Sequence, residues 1–214
     1  MHDLYESGRL DEPPDSVSFG TVLNAFAKAG MPEKAEALSN EMYKEFMENG
    51  NSEMKPTVMM FTNILDAYMR TIAEATKSGD NMLAIQHVTR ARNIFQRMQD
   101  LHEFGILRTP PDTTAYNVLL TCYLRSSYVK TSPRVNTAAE QADELLQEMK
   151  RGGNPLAAPN FKTYSIVIQT WLHRNDGVER ALELLEEVRD RVGTADGPQM
   201  TFDALSLHCV IVGF

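Results

Sequence analysis

Apolar residues recur along this chain at helical spacing. Four stretches, VSFGTVLNAFAK, MMFTNILDAYMR, TAYNVLLTCYLR and KTYSIVIQTWLHR, stay apolar for about three turns and then end on a base. Between them lie AEALSNEM (35–42), ARNIFQRM (91–98), ADELLQEM (142–149) and ALELLEEV (181–188). Their apolar residues sit at i, i+3, i+4 and i+7, one face of a helix. The first kind predicts a helix A and the second a helix B, joined by a turn. A proline-containing turn then leads to the next unit. A proline suits the first helical turn, where its missing N–H costs nothing. Lys28-Ala29-Gly30 ends the first helix A with glycine in the usual stop position.

The units repeat. An aromatic follows a proline by five residues at Phe19, Phe61, Tyr116 and Tyr164, and by four at Phe202. From proline to proline the units span 42, 55, 48 and 39 residues. The variation falls between helix A and helix B, so units two and three carry insertions of about 14 and 10 residues there, at 71–90 and 126–141, as loops of repeat arrays do. Lys77-Ser78-Gly79-Asp80 is a turn signal inside the first insertion, and the residues around it are suited to lengthen both flanking helices. Helical hairpins of this kind bury their apolar faces only by stacking. The expected fold is all-α, a right-handed α-solenoid (superhelix) of stacked helix–turn–helix repeats. Four units are expected over 15–199, at about 15–56, 57–111, 112–159 and 160–199. The end of a truncated repeat precedes them over 1–14, and helix A of a truncated fifth follows over 200–214. The uncovered Val210-Ile211-Val212-Phe214 end implies a piece of a longer array.

Composition narrows the function classes. No apolar run approaches the roughly 18 residues of a membrane span. Cys122 and Cys209 provide neither a disulfide framework nor metal-ligand spacing. The sequence has no HExxH, GxGxxG, Walker loop or CxxC, and Ser127 to Lys130 matches Ser-x-x-Lys only as chance allows. The expectation is a non-catalytic protein without metal or cofactor. Residues 1–14 carry Asp3, Glu6, Asp11 and Glu12 and show no signal or transit pattern. Trp171, Cys122 and the repeated aromatics read as core, and the twelve methionines suit an irregular helical interface.

The string P-D-x-x-x-(Tyr/Phe)-(Asn/Thr/Ser)-x-(Leu/Ile), a base ending helix A, then A-x-x-(Leu/Ile)-(Leu/Phe)-x-x-Met and a return to proline resembles the pentatricopeptide repeat. Pro111-Asp112 through Tyr116-Asn117 and Phe19 through Gly30 are the clearest copies, and the resemblance covers nearly the whole chain. The tetratricopeptide repeat, another helical-hairpin array, expects Trp-x-x-Leu-Gly early in helix A and a period near 34. Here Trp171 stands alone late in its helix and the periods are irregular.

The resemblance implies single-stranded RNA as partner, read one base per repeat. Two side chains would share each base: the residue after the helix-A aromatic and the residue after the closing proline. The pairs are Gly20 with Thr57, Thr62 with Asp112, Asn117 with Asn160, and Ser165 with Gln199. Gly20 has no side chain to bond, and Gln199 is an unusual partner at shortened spacing. In the family Thr with Asp suits guanine, and Asn with Asn suits a pyrimidine, cytosine more than uracil. Val17 and Met59 hold the positions that wedge between bases, where Thr114 is small and Lys162 departs. Lys28, Arg70, Arg125, His173 and Arg174 fall at or beside the position where the family contacts phosphate.

Each reading has a local rival. A base at a helix C-terminus also complements the helix dipole. Thr62, Asn117, Ser165, Asp112 and Asn160 are all residue types that cap helices. The net charge of −8 speaks against nucleic acid. The predicted A helices nonetheless sum to +4, the acids crowd the B helices, and in such a solenoid the A helices line the groove. Three functions therefore stand. One is an RNA-binding module for RNA processing, stability or translation in the mitochondrion or plastid, the compartment being inherited from the family. The second is a scaffold that binds a protein segment through its groove, acidic outer face or exposed ends. The third is an array that positions RNA for a nuclease on another part of a longer protein.

Overall fold

The structure, a computed structural model, describes residues 15–129 and 138–192. The truncated repeats expected over 1–14 and 200–214, together with Gln199, Phe202 and Cys209, lie outside the described residues. The described residues form α-helices, two short 3₁₀ turns and no strand. The helices pair as hairpins: α1 (Ser16–Lys28) with α2 (Pro32–Glu48), α3 (Val58–Ser78) with α4 (Asn81–Glu103), α5 (Thr113–Ser126) with α6 (Ala138–Arg151), and α7 (Phe161–Leu172) with α8 (Val178–Val192).

Every A helix opens with the same device. The side chains of Asp15, Thr57, Asp112 and Asn160 accept the backbone N–H three residues on, at 2.8, 3.3, 2.9 and 3.0 Å. Each is an N-cap that satisfies an otherwise orphaned donor. Pro56, Pro111 and Pro159 thus stand one residue before the cap, not in the first helical turn where the sequence placed them. The oxygen of the next side chain fixes the helix start, and the buried proline shapes the approach to it. In two of the connections a 3₁₀ turn precedes the proline, at Ser52–Met54 and Pro155–Ala157, and buries Met54 and Ala157. The Thr113 hydroxyl reaches back to the second of these turns, 3.0 Å from the carbonyls of Leu156 and Ala158.

The first insertion is helical. Arg70 does not end helix A, because α3 runs on to Ser78. Gly79 then adopts φ 78°, a left-handed conformation open to glycine at little cost, and Asp80 caps α4 through Leu83 N at 3.0 Å. The second insertion leaves helix α5 at Ser126, and residues 130–137 within it are not described.

The A helices α1, α3, α5 and α7 pack each against the next in one layer. The B helices α2, α4 and α6 each lean on their own A helix and on the following one, and α8 packs on α7. The result is an α-solenoid with one main core and a small second cluster of Ala75, Ala84 and Val129. Phe19, Phe61, Tyr116 and Tyr164 are buried in the main core, as their spacing predicts. The two tyrosines also keep their hydroxyls bonded. Tyr116 donates to Glu148 and Tyr164 to Glu187, each at 2.8 Å and each on the partner B helix. Burial and the adjoining carboxylate raise the Tyr116 pKa above the ordinary tyrosine value. Cys122 is wholly enclosed, and its thiol is pushed up to about 12, which makes it an inert packing residue.

Candidate nucleic-acid interface

The residue after each aromatic lies a full turn inside its helix, since α3, α5 and α7 begin at Val58, Thr113 and Phe161. Thr62, Asn117 and Ser165 therefore cap nothing. The residues after the prolines do cap, and this use occupies only part of their bonding capacity.

Asn117 and Asn160 come together across α5 and α7. The Asn117 amide donates to Asn160 Oδ1 at 3.5 Å, and the Thr163 hydroxyl donates to Asn117 Oδ1 at 2.8 Å. Thr163 in turn accepts the Asn160 backbone N–H at 3.1 Å, completing a capping box. Asn117 is only 5% exposed, whereas Asn160 is open to solvent. Asn160 Oδ1 also accepts the Thr163 N–H and faces the Thr163 hydroxyl, each at 3.0 Å, which leaves the Asn160 amide N–H groups open for bonding.

Thr62 and Asp112 have the opposite remainder. The Thr62 hydroxyl donates to the Val58 carbonyl at 2.9 Å, which leaves only its lone pairs. Asp112 spends Oδ1 on the Ala115 N–H and keeps Oδ2. An ionised carboxylate accepts only. No hydrogen bond joins Thr62 to Asp112. Ser165 differs again: its hydroxyl is buried with no hydrogen-bond partner.

At the first unit Val17 and Met59 stand 70% and 74% exposed, flanking a cleft of about 330 Å³ between α1 and α3. Gly20, Thr57, Asn24 and Asn63 also line it. A Cβ on Gly20 would meet nothing within 4 Å, so the missing side chain leaves open space. Thr114 and Lys162 are likewise exposed at the equivalent positions of α5 and α7.

The five bases are far from equivalent. Lys28 is exposed in the last turn of α1 and makes no ion pair among the described residues. Arg70 bonds Asp66 one turn back at 2.8 Å. Arg125 makes no ion pair among the described residues, and its guanidinium donates to the Met69 carbonyl of α3 at 3.3 Å. Arg174 is held by Glu140 at 3.0 Å and by both oxygens of Asp176 at 2.8 and 2.7 Å, and it lies over the Trp171 ring. His173 meets the Ser127 hydroxyl at 2.8 Å and the Tyr128 ring at 4.1 Å between centroids. Partial desolvation lowers its pKa, which favours the uncharged ring.

A pentatricopeptide repeat model matches residues 17–50, which take in nearly all of the first hairpin. The chain is 22% identical over 184 residues to a pentatricopeptide repeat-containing protein of Arabidopsis thaliana, a match covering 79% of this chain and 29% of the relative. A second relative from the same plant, named as a mitochondrial pentatricopeptide repeat-containing protein, is 23% identical over 60% of this chain and 32% of its own. A third, the small ribosomal subunit protein mL103 (rPPR7), is 25% identical over 72% of this chain and 36% of its own. The first hairpin thus matches a pentatricopeptide repeat, and most of the chain is similar to pentatricopeptide repeat proteins. It spans about a third of the length of the curated relatives it matches.

The array also contains features the repeat pattern did not single out. Thr163 orients Asn117 and Asn160, and its signal was the Asn-x-x-Thr spacing of a capping box. Lys77, on the extension of α3, shares a cavity of about 540 Å³ with Arg125 and Tyr128. No repeat position marks Lys77, since it lies within the insertion. Among the described residues no group of three or more His, Cys, Asp or Glu could hold a metal ion, and no helix is long and apolar enough to cross a membrane.

Proposed function

We propose that this pentatricopeptide array binds single-stranded RNA and selects adjacent bases through α3, α5 and α7, in mitochondrial RNA processing, stability or translation. The observation that carries the reading is the opposed polarity of two neighbouring pairs. Thr62 and Asp112 retain acceptors, which complement the N1–H and N2–H donors of guanine. Asn117 and Asn160 retain N–H donors, which complement the N3 and O2 acceptors of cytosine. Reading of an unstacked base by its Watson–Crick edge is the general mode for single-stranded RNA. The exposed Val17 and Met59 supply apolar surface between bases, and Lys28, Arg70 and Arg125 supply charge for the phosphates. Arg174 and His173 contribute less, one through its paired carboxylates and the other through its neutral ring. The mitochondrial assignment is supported by the name of one relative, and a role near RNA by the ribosomal name of another.

Fluorescence anisotropy with a random single-stranded RNA pool, duplex RNA as control, tests the reading. Saturable binding that prefers single strands and weakens with salt is expected. Selection from the pool should return guanine beside a pyrimidine, and a variant carrying Thr62→Asn and Asp112→Asn should exchange that guanine for a pyrimidine. Absence of binding at low salt overturns the proposal and directs attention to protein partners.

A further inference from the structure

The extension of α3 builds a site outside the repeat pattern. Had helix A ended at Arg70, Ala73, Thr76 and Lys77 would not stand beside α5. As it is, the Thr76 hydroxyl lies 3.4 Å from the Arg125 carbonyl, and Arg125 itself donates to Met69 O on α3. These contacts fix the two helix ends around a cavity of about 540 Å³ lined by Ala73, Thr76, Lys77, Arg125 and Tyr128. The volume falls in the range of ligand-sized clefts. Among the described residues its lining contains two cations and no acid, and neither Lys77 nor Arg125 makes an ion pair there. Tyr128 leans on the His173 ring at 4.1 Å yet remains 59% exposed.

Two unpaired cations beside an exposed aromatic ring match the chemistry of a nucleotide, a phosphate attached to a flat base. We infer that this cavity seats one nucleotide of the bound strand independently of sequence, its phosphate between Lys77 and Arg125 and its base against Tyr128. The inference rests on the RNA-binding reading and gives the insertion at 71–90 a role. Asn117 and Arg125 are eight residues apart on α5, about 12 Å along the helix axis. The seat is therefore displaced from the base-reading pair toward the far rim of the A layer and adds a contact of its own.

The test is anisotropy with a fluorescent single-stranded RNA of mixed sequence across a salt series. The proteins are the wild type, Lys77→Glu, Tyr128→Ala and the outer-face control Lys44→Glu. All three altered residues are exposed, so melting temperatures should match and certify folding. Lys77→Glu should weaken binding by roughly tenfold and reduce the slope of log affinity against log salt by about 0.7, one phosphate on a single strand. Tyr128→Ala should weaken binding by roughly tenfold with the slope unchanged, the signature of a lost stack. Lys44→Glu should bind as the wild type. If Lys77→Glu and Tyr128→Ala both bind as the wild type while Arg125→Glu weakens binding, the seat is overturned and the RNA reading stands. If the wild type itself binds no RNA, both fall.

Discussion

The two layers of the solenoid handle charge in opposite ways. Successive B helices are sewn together by polar pairs. His87 on α4 meets Glu33 on α2 at 3.0 Å, and Arg90 meets Glu36 at 3.7 Å. Arg97 bonds Asn40. Farther on, Arg180 of α8 grips both oxygens of Asp143 at 3.0 Å, and Lys150 meets Glu187 at 2.7 Å. Gln99 of α4 and Glu148 of α6 complete the row. The A helices instead meet through apolar side chains and a few hydrogen bonds without a carboxylate, such as Asn117 with Thr163 and Arg125 with the Met69 carbonyl, and leave Lys28, Lys77 and Arg125 without carboxylate partners among the described residues. Five carboxylates, Glu33, Glu36, Asp143, Glu148 and Glu187, are thus engaged in holding the outer layer. Net charge alone is a poor guide to what the inner layer can bind.

Substitutions can break or sharpen this contrast. The largest effect should come from Phe61, an A-helix residue in the core between the layers. It is wholly buried, so Phe61→Ala should cost about 3–5 kcal/mol in urea denaturation and abolish RNA binding along with the fold. Next comes the outer layer alone. Asp143→Ala leaves a half-buried Arg180 without its bidentate partner and should cost roughly 1–2 kcal/mol after allowance for solvent screening. RNA affinity should not change, and a tenfold loss there would break the division between layers. Gly79→Ala places a Cβ in a left-handed turn and should cost about 1 kcal/mol, seen as a lower urea midpoint at unchanged m-value. Lys28→Glu should alter stability by only about 0.3–1 kcal/mol, the helix-terminus effect, while weakening RNA binding roughly tenfold in anisotropy.

The smallest effect is a pH slope. Desolvation lowers the pKa of His173, so the folded state resists a proton that the unfolded chain takes up near pH 6.5. Its contribution is full above about pH 6.5 and declines as pH falls from there toward the folded-state value. Thermal melts from pH 7.5 to 5.5 should show that decline, and His173→Asn should flatten it.

The hairpins, their aromatic anchors and the stop at Gly30 were legible because period and glycine position are local properties of the chain. The length of α3 was half legible: the turn at Lys77–Asp80 stood out, but the base at Arg70 imitated a helix end. A base inside a run of helix-compatible residues does not end a helix; α3 passes Arg70, packs along α5 and stops at Gly79. The pairing of Asn117 with Asn160 was readable from the repeat offset. The polar groups that pair leaves open were not, because they depend on how Thr163 shares its one proton between Asn117 Oδ1 and Asn160 Oδ1. Likewise the five bases looked alike in sequence. What separates Arg174 from Arg125 is the reach of Glu140 from the preceding B helix, a long-range contact that the string cannot display.

The longer second hairpin has a consequence for how such arrays change over time. The added residues of α3 and α4 lie along the hairpin axis, while α1, α3, α5 and α7 keep packing side against side across it. The two directions are nearly independent. Material can be inserted at a hairpin tip while neighbouring A helices stay packed side by side. The pitch of the array is set by helix diameter, and its sequence period is free to drift.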